Sequence, residues 1–465
     1  MNPFGKINQL LFPGSKEYPP NSAGKTIALG FQHAFAMSCA TVLVPLITGL
    51  DVGVTLFAAG IGTLIFHICT KGKMPTFLGS SFAFLSPILM IVGNPAFGET
   101  KAEQISAAMG GVIIAGLIYL IIALIIGIFG SGFMDRLFPP VVRGVGIAII
   151  GLNLSSVAIA NVQSNNGFAA FSPGYYWSWG LALFVCILTI VLSSYGKGMV
   201  KMSSIVISLV VGYFVTFLFV KTGAAPEGLM NIHALAEEGR GFARVWFEIP
   251  NFTLPRFDSA AIGIIAPIAI VTCVEHVGDV YANGAVVGKD FVKDPGLHKT
   301  LLGDGLATMA AGFIGGPANT TYSENTAVLA TTGNYNPSSI RLAAVIAIAA
   351  SFFGKAIGAV ETIPNCVLGG ACIVLYGMIA SVGLRTLVET HVDFTQNRTL
   401  CIAAVMLVLS MGGAMIGGPE FSFSGIGLGI ISGIILNLIL PATPPRDKGL
   451  IAHSVAEEKL IDEED

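Results

Sequence analysis

The chain has 465 residues, 54% of them hydrophobic and only 11% charged, against roughly 25% charged in ordinary soluble domains. Its net charge is -3 and its few cations sit mostly in short gaps between apolar runs, so no basic face can neutralise a row of phosphates and nucleic acid is not an expected partner. Gly supplies 57 residues, an excess over the usual roughly 7% that suits helices packed closely in lipid through small side chains.

In chain order, residues 1–25 carry Lys6, Lys16 and Lys25 among Pro, Gly and Asn. With no apolar core before a small-residue cleavage site, this segment reads as a retained cytoplasmic N-terminus. A bilayer core needs about 20 apolar residues per helix. Runs of that kind fall near 26–49, 52–69, 103–129, 139–160, 174–194 and 199–220, and again near 258–281, 297–315, 338–359, 364–384, 397–417 and 423–441. Two further stretches, 75–92 and 317–332, are shorter and broken, by Pro75, Gly79, Ser80, Ser81 and Pro87 in one and by Pro317, Asn319, Thr320, Thr321 and Ser323 in the other. They read as half-helices preceded by extended chain.

The fold expected is thus an all-α polytopic membrane protein of fourteen transmembrane segments, the third and tenth of them broken. The broken pair holds the same rank in each half of seven, so the halves read as repeats. An offset of 225 matches Pro139 to Pro364, Val142 to Val367 and Gly144 to Gly369. Because seven is odd, the two 7-segment repeats are inverted, an arrangement that places a transport site at the broken helices near the midplane. With both termini inside, only Lys101, Lys221, Arg240, Arg244, Arg256 and Lys355 of the 24 Lys and Arg fall outside. That leaves 24 minus 6, or eighteen, in the cytoplasm, as the positive-inside rule requires.

All seven cysteines lie in apolar stretches with no CxxC pair, which disfavours disulfides and a zinc site. Gly24, Lys25 and Thr26 end like a phosphate-binding loop, but Pro19 stands where that pattern needs Gly, so ATP-driven transport has no support. Neither GxSxG nor HExxH occurs, and nothing suggests a hydrolase. The expectation is a transporter without enzymatic activity, cofactor or metal.

Acids inside a bilayer are costly and mark function. Glu275 and Asp279 share a helical face by their i, i+4 spacing, and Glu324 falls where a half-helix begins, a position the helix dipole favours for a carboxylate. Glu275 could instead be an interfacial helix-end acid. His33, beside Gln32, could equally be a hydrogen-bonder between helices. Asp304 lies between Gly303 and Gly305, where helices pack, and reads as structural.

These residues resemble the nucleobase-ascorbate transporter family, including its bacterial uracil permeases. The resemblance runs from Gln32 and His33 through Leu78 to Phe84, to Glu275 to Gly278, and to Asn319 to Asn325. The family signature appears as Glu324, Asn325, Thr326, Ala327 and Thr332, with Ala327 where the family has Gly. The resemblance implies a core domain of segments 1–4 (26–129) and 8–11 (258–360). It implies a gate domain of segments 5–7 (130–220) and 12–14 (361–441), an external connection at 221–257 and a cytoplasmic tail at 442–465. It further implies a substrate site of Glu275, Glu324 and Phe82, beside which Ser323, Tyr322 and Ala40 are expected; because burial disfavours a charged carboxyl, proton coupling is expected through Glu275, Asp279, Glu324 and His33. A homodimer through the gate domains and residence in the cell (inner) membrane follow from the same likeness.

Asp279 stands where many uracil permeases carry His and purine-type relatives Asp, and Ser323 replaces a common Gly. Glu at 324 points to pyrimidines and Asp279 points back. Uracil carries two N–H donors and two carbonyl acceptors on a flat ring, and Glu275, Glu324, backbone N–H groups and Phe82 form a matching set. Two carboxylates would repel an anionic substrate. The alternatives are a purine permease of xanthine or uric acid type, or an uncoupled channel for a small neutral solute.

Overall fold

The computed structural model describes residues 12–130, 132–163, 167–230, 241, 244–418, 421–423 and 425–441. The 442–465 tail, Lys6, and positions 231–240 and 242–243 of the connection lie outside the described residues.

Helix α1 (Ala23–Thr48) starts where the Ser22 side chain accepts from the Lys25 N–H, and ends at Gly49, whose φ of 75° is left-handed. Asp51 caps α2 (Val52–Cys69) by accepting from Val54 N–H at 2.8 Å. Such caps matter because lipid offers the first N–H groups no acceptor. Strand β1 (Leu78–Ser80) leads through a helical turn at Phe82–Phe84 into α3 (Leu85–Ile91). There follow α4 (Lys101–Phe129), α5 (Pro140–Gln163), α6 (Pro173–Tyr195), α7 (Ser204–Lys221), α8 (Ser259–Ile265) and α9 (Ile268–Val287). Then come α10 (Leu297–Ile314), β2 (Asn319–Thr321), α11 (Ser323–Thr332), α12 (Ser338–Ala350), α13 (Gly354–Glu361) and α14 (Asn365–Glu389). The chain closes with α15 (Asn397–Met411), the hairpin β3 (Ile416–Gly418) and β4 (Phe421–Phe423), and α16 (Gly425–Ile439). Among the described residues eight helices are long and apolar enough to cross a membrane, α8 and α9 counting as one, or up to nine with the pair α12 and α13.

Two expected spans differ in detail. The run 338–359 is bent by 82° between α12 and α13. At the bend Phe352 O accepts the Glu248 N–H at 2.9 Å, the Phe247 ring stacks on Phe352 at 5.4 Å, and a Cβ on Gly354 would sit 2.6 Å from Val245 O. Residues 245–248 of the connection therefore occupy the break and take up backbone groups that a straight helix would have used. The run 397–417 stops being helical at Met411, where Gly412 and Gly413 (φ 64°) turn the chain into the β3–β4 hairpin.

Helices α1, α2, α4, α10 and α12 pack on one another, while α5 packs chiefly on α14, which also meets α6. The α5–α14 seam rests on small residues. A Cβ on Gly144 would meet Leu387 and, at 3.0 Å, Gly383 O; a Cβ on Gly369 would meet Val162 and, at 3.0 Å, Ala158 O. Backbones this close gain dispersion contacts that compensate for the missing hydrophobic drive in lipid.

Between the helices, β1 and β2 pair antiparallel, Leu78 opposite Thr321 and Ser80 opposite Asn319, every residue buried. The ladder extends at both ends, Ser81 N–H to Ala318 O at 2.8 Å and Tyr322 N–H to Phe77 O at 3.0 Å. Helix hydroxyls finish it: Thr63 of α2 donates to Leu78 O at 3.1 Å, and Thr308 of α10 donates to Asn319 O at 3.1 Å. Extended backbone is tolerated in an apolar interior only when its polar groups are paired in this way.

Candidate functional site

The paired strands bring two helix starts together. Phe82 opens the turn after β1, and Ser323 and Glu324 open α11 directly after β2. Helix α9 packs against both, and carries Glu275 and Asp279. Asn283, one further turn along, continues the same stripe.

Asp279 ties α9 to the β2–α11 junction. Its Oδ2 accepts the Thr321 hydroxyl at 2.6 Å and its Oδ1 accepts the Ser323 hydroxyl at 2.9 Å. Asn283 donates from one amide to Pro75 O at 2.9 Å and to Thr326 Oγ1 at 3.2 Å. Asn325 donates from Nδ2 to both the carbonyl O and the ring Nδ1 of His33, each at 3.1 Å. Because that amide group must face the His33 carbonyl, Nδ1 is the acceptor and the imidazole carries its hydrogen on Nε2. Glu324 is thus held on a turn whose neighbours at 323, 325 and 326 are each fastened to another helix.

Glu275 is held differently. Its Oε2 is buried with no hydrogen-bond partner among the described residues, and Asp279, Asp304 and Glu324 all lie within coulombic reach of it. An orphaned buried acceptor costs about 1–3 kcal/mol, more when charged. At the first turn of α11, Tyr322 at the N-cap offers no side-chain cap to the N–H groups that begin the helix.

Of the other expected site residues, Tyr322 is buried, its phenol donating to Ser80 O at 3.0 Å and accepting from Thr41 at 3.3 Å. Its ring covers Gly79, where a Cβ would lie 2.7 Å from the phenol oxygen. Ala40 is 2% exposed and packs in a cluster with Met37, Phe77 and Leu329 around that tyrosine. Phe82 is half-buried and meets the edge of Tyr376, from α14, at 6.0 Å between ring centroids. His33 lies behind α11, joined to it through Asn325. Asp304 pairs with His276, Nδ1 3.0 Å from Oδ2 and both side chains fully buried, within ion-pair reach though off the line of a well-directed hydrogen bond.

The sequence assigned no site role to Thr321, Asn283, Asn325 or Tyr376. For Asn283 a signal existed, since Glu275, Asp279 and Asn283 recur every fourth residue. Tyr376 offered none, being one aromatic in an apolar helix far along the chain.

The permease family sequence model Xan_ur_permease matches residues 24–417. The chain belongs to this permease family. It is a multi-pass membrane transporter, not an enzyme. It is 41% identical over 417 residues to the probable uracil permease of Pasteurella multocida strain Pm70, covering 90% of this chain and 94% of that one. To the uracil permease of Bacillus caldolyticus it is 40% identical over 443 residues, covering 93% and 96%. In fold it is similar to SLC26A9, with a TM-score of 0.64 at 13% identity over 94% of this chain and 69% of that one.

Proposed function

We propose that this permease imports uracil together with protons by alternating access. The observation that carries the reading is the unpartnered Glu275 Oε2 beside the uncapped start of α11. A neutral base satisfies both, its N–H groups donating to Glu275 and Glu324 and its carbonyls accepting from α11 N–H groups, with Phe82 on its flat face. Ser323 and Tyr322 flank the start of α11, Ala40 packs in the same cluster as Tyr322, and the relatives above bear uracil permease names. Both oxygens of Asp279 already accept hydroxyls, which makes Glu275 the better seat for the travelling proton and Asp279 its partner. Glu324 completes the acidic cluster, and His33 is joined to it through Asn325.

In this reading fourteen segments form two inverted repeats with broken third and tenth members. Two sets of reciprocal contacts support it. At an offset of 241 the pair Ser81 N–H to Ala318 O becomes Tyr322 N–H to Phe77 O. At the offset of 225, Gly144 on Gly383 and Leu387 becomes Gly369 on Ala158 and Val162. The core comprises 26–129 and 258–360 and the gate 130–220 and 361–441, a division that follows the packing groups. Both termini are cytoplasmic, the membrane is the cell (inner) membrane, and dimers form through the gates.

A purine permease is the second reading, favoured by Asp279. Proteoliposomes loaded with the purified protein decide between them: uracil should displace labelled uracil far better than xanthine does, and an uncoupler should abolish accumulation. Preference for xanthine would move the chain to the purine branch, and uptake indifferent to the proton gradient would sink the coupling.

A further inference from the structure

Residues 12–21 touch the chain just before β1 and just after α11. Gly14 N–H donates to Lys71 O at 2.9 Å, and a Cβ there would lie 2.9 Å from the same oxygen. The Tyr18 hydroxyl donates to Lys73 O. Residues 71–73 stand only a few positions before β1. On the other side Asn336 donates to Pro19 O at 2.8 Å, and Asn21 and Asn334 exchange amide hydrogen bonds at 3.1 and 2.7 Å. Those asparagines follow Gly333, the residue that ends α11.

The segment is fastened by charge. Glu17 accepts from Lys289 at 2.8 Å and lies 3.4 Å from Lys73, which also pairs with Asp294. Lys289 lies over the Tyr18 ring at 4.1 Å. Beside this lock Arg341 of α12 donates to Ser15 Oγ at 3.1 Å and stacks on Phe12 at 4.3 Å. The Lys289 hydrogen bond holds the Glu17 carboxyl below the ordinary carboxylate range. The lock is therefore ionised at neutral pH, and its stabilisation is lost only as pH falls through that lowered value.

We propose that residues 12–21 are a clasp that sets the register of β1 and α11, and that Glu17 is a positioning residue for the substrate site, acting through Lys73 and Lys289. The consequence for substrate rests on the uracil reading above; the mechanical claim does not. Lys73 joins the clasp to the stretch that leads through β1 to Phe82, and Lys289 joins it to the chain just past the C-cap of the helix that carries Glu275 and Asp279. Asn334 and Asn336 join it to the end of the helix that Glu324 begins. A loosened clasp lets the two helix starts drift apart while each helix remains folded.

The test uses the full-length protein with Glu17→Lys, Lys289→Glu and the double exchange, each read by hydrogen–deuterium exchange without ligand and by uracil binding. Glu17→Lys should speed exchange in peptides covering 74–91 and 319–333, not only in 12–22. It should weaken uracil binding by about two- to fivefold, the scale of a half-exposed ion pair. The double exchange should restore both readouts. Faster exchange confined to 12–22, or a double variant no better than the singles, would overturn the clasp. Wild-type protein that fails to bind uracil would instead overturn the substrate reading and leave exchange to decide the clasp.

Discussion

The Thr321 hydroxyl donates to Asp279 Oδ2 at 2.6 Å. That bond joins the strand preceding Glu324 to the helix bearing Glu275, so the two glutamates are positioned by one shared carboxylate. Thr321→Val keeps the shape and removes the donor. A hydrogen bond to a charged group contributes about 1.5–3 kcal/mol, so the variant should melt several degrees lower and bind uracil about tenfold or more weakly. Thr321→Ser, which keeps the hydroxyl, should stay near wild type; a threonine needed only for strand packing would give the opposite order.

Glu324→Gln separates a substrate ligand from a bystander. Gln preserves the volume and one acceptor but turns a donor towards a substrate N–H in one of its orientations. Because Ser323, Asn325 and Thr326 remain fastened to Asp279, His33 and Asn283, the turn should keep its place. Loss of the charged acceptor should then appear as about tenfold to hundredfold weaker binding with little change in melting temperature. Affinity within threefold of wild type would remove Glu324 from the ligand set.

Gly79 carries a different expectation. A Cβ there would lie 2.5 Å from Tyr322 Cε2 and 2.7 Å from its hydroxyl oxygen, inside any tolerable contact. Gly79→Ala should push the phenol off Ser80 O and cost about 1–3 kcal/mol of stability, the usual scale of overpacking. Adding Tyr322→Leu should recover part of the melting temperature but not the binding. If the single variant melts like wild type, the ring moves freely and the pocket is looser than this packing implies.

What the sequence could convey depended on the range of the interaction concerned. Apolar length located the helices, because each satisfies its own backbone and lipid imposes its thickness residue by residue. The extended stretches at Leu78–Ser80 and Asn319–Thr321 left a trace in the sequence, because Pro and polar residues interrupt the apolar pattern there. The bend at Phe352 was not, since it depends on Glu248 and Val245 arriving from a distant connection. Among site residues, the acids stood out by their cost in lipid. Thr321 and Asn325 stand in runs the sequence singles out, but their partners lie 42 and 292 positions away, which no local pattern encodes. Gly79 against Tyr322 is likewise a contact between halves of the chain.

Asp279 is engaged by hydroxyls from both sides of the β2–α11 junction, which narrows the part it can take in coupling. The residue stands one turn from Glu275 on α9, and like charges that close in a partly dry site are not both ionised readily. In the proposed reading the pair holds one proton and titrates as a unit. Thr321 and Ser323 already engage both oxygens of Asp279, whereas Glu275 Oε2 has no hydrogen-bond partner among the described residues; the pair is asymmetric, and in the proposed reading Asp279 is the anchor and Glu275 meets the substrate. Asp279→Asn keeps an acceptor for one hydroxyl but removes the charge. Transport should therefore lose its dependence on external pH more than it loses affinity for uracil. Asp279→His can take up a proton and accept one of the two hydroxyls through a ring nitrogen, and should retain pH-dependent uptake. Uptake of uracil against external pH, measured for wild type and both variants, checks this. Three profiles that superimpose would assign Asp279 to holding α9 against the β2–α11 junction and leave the proton to Glu275 and Glu324 alone.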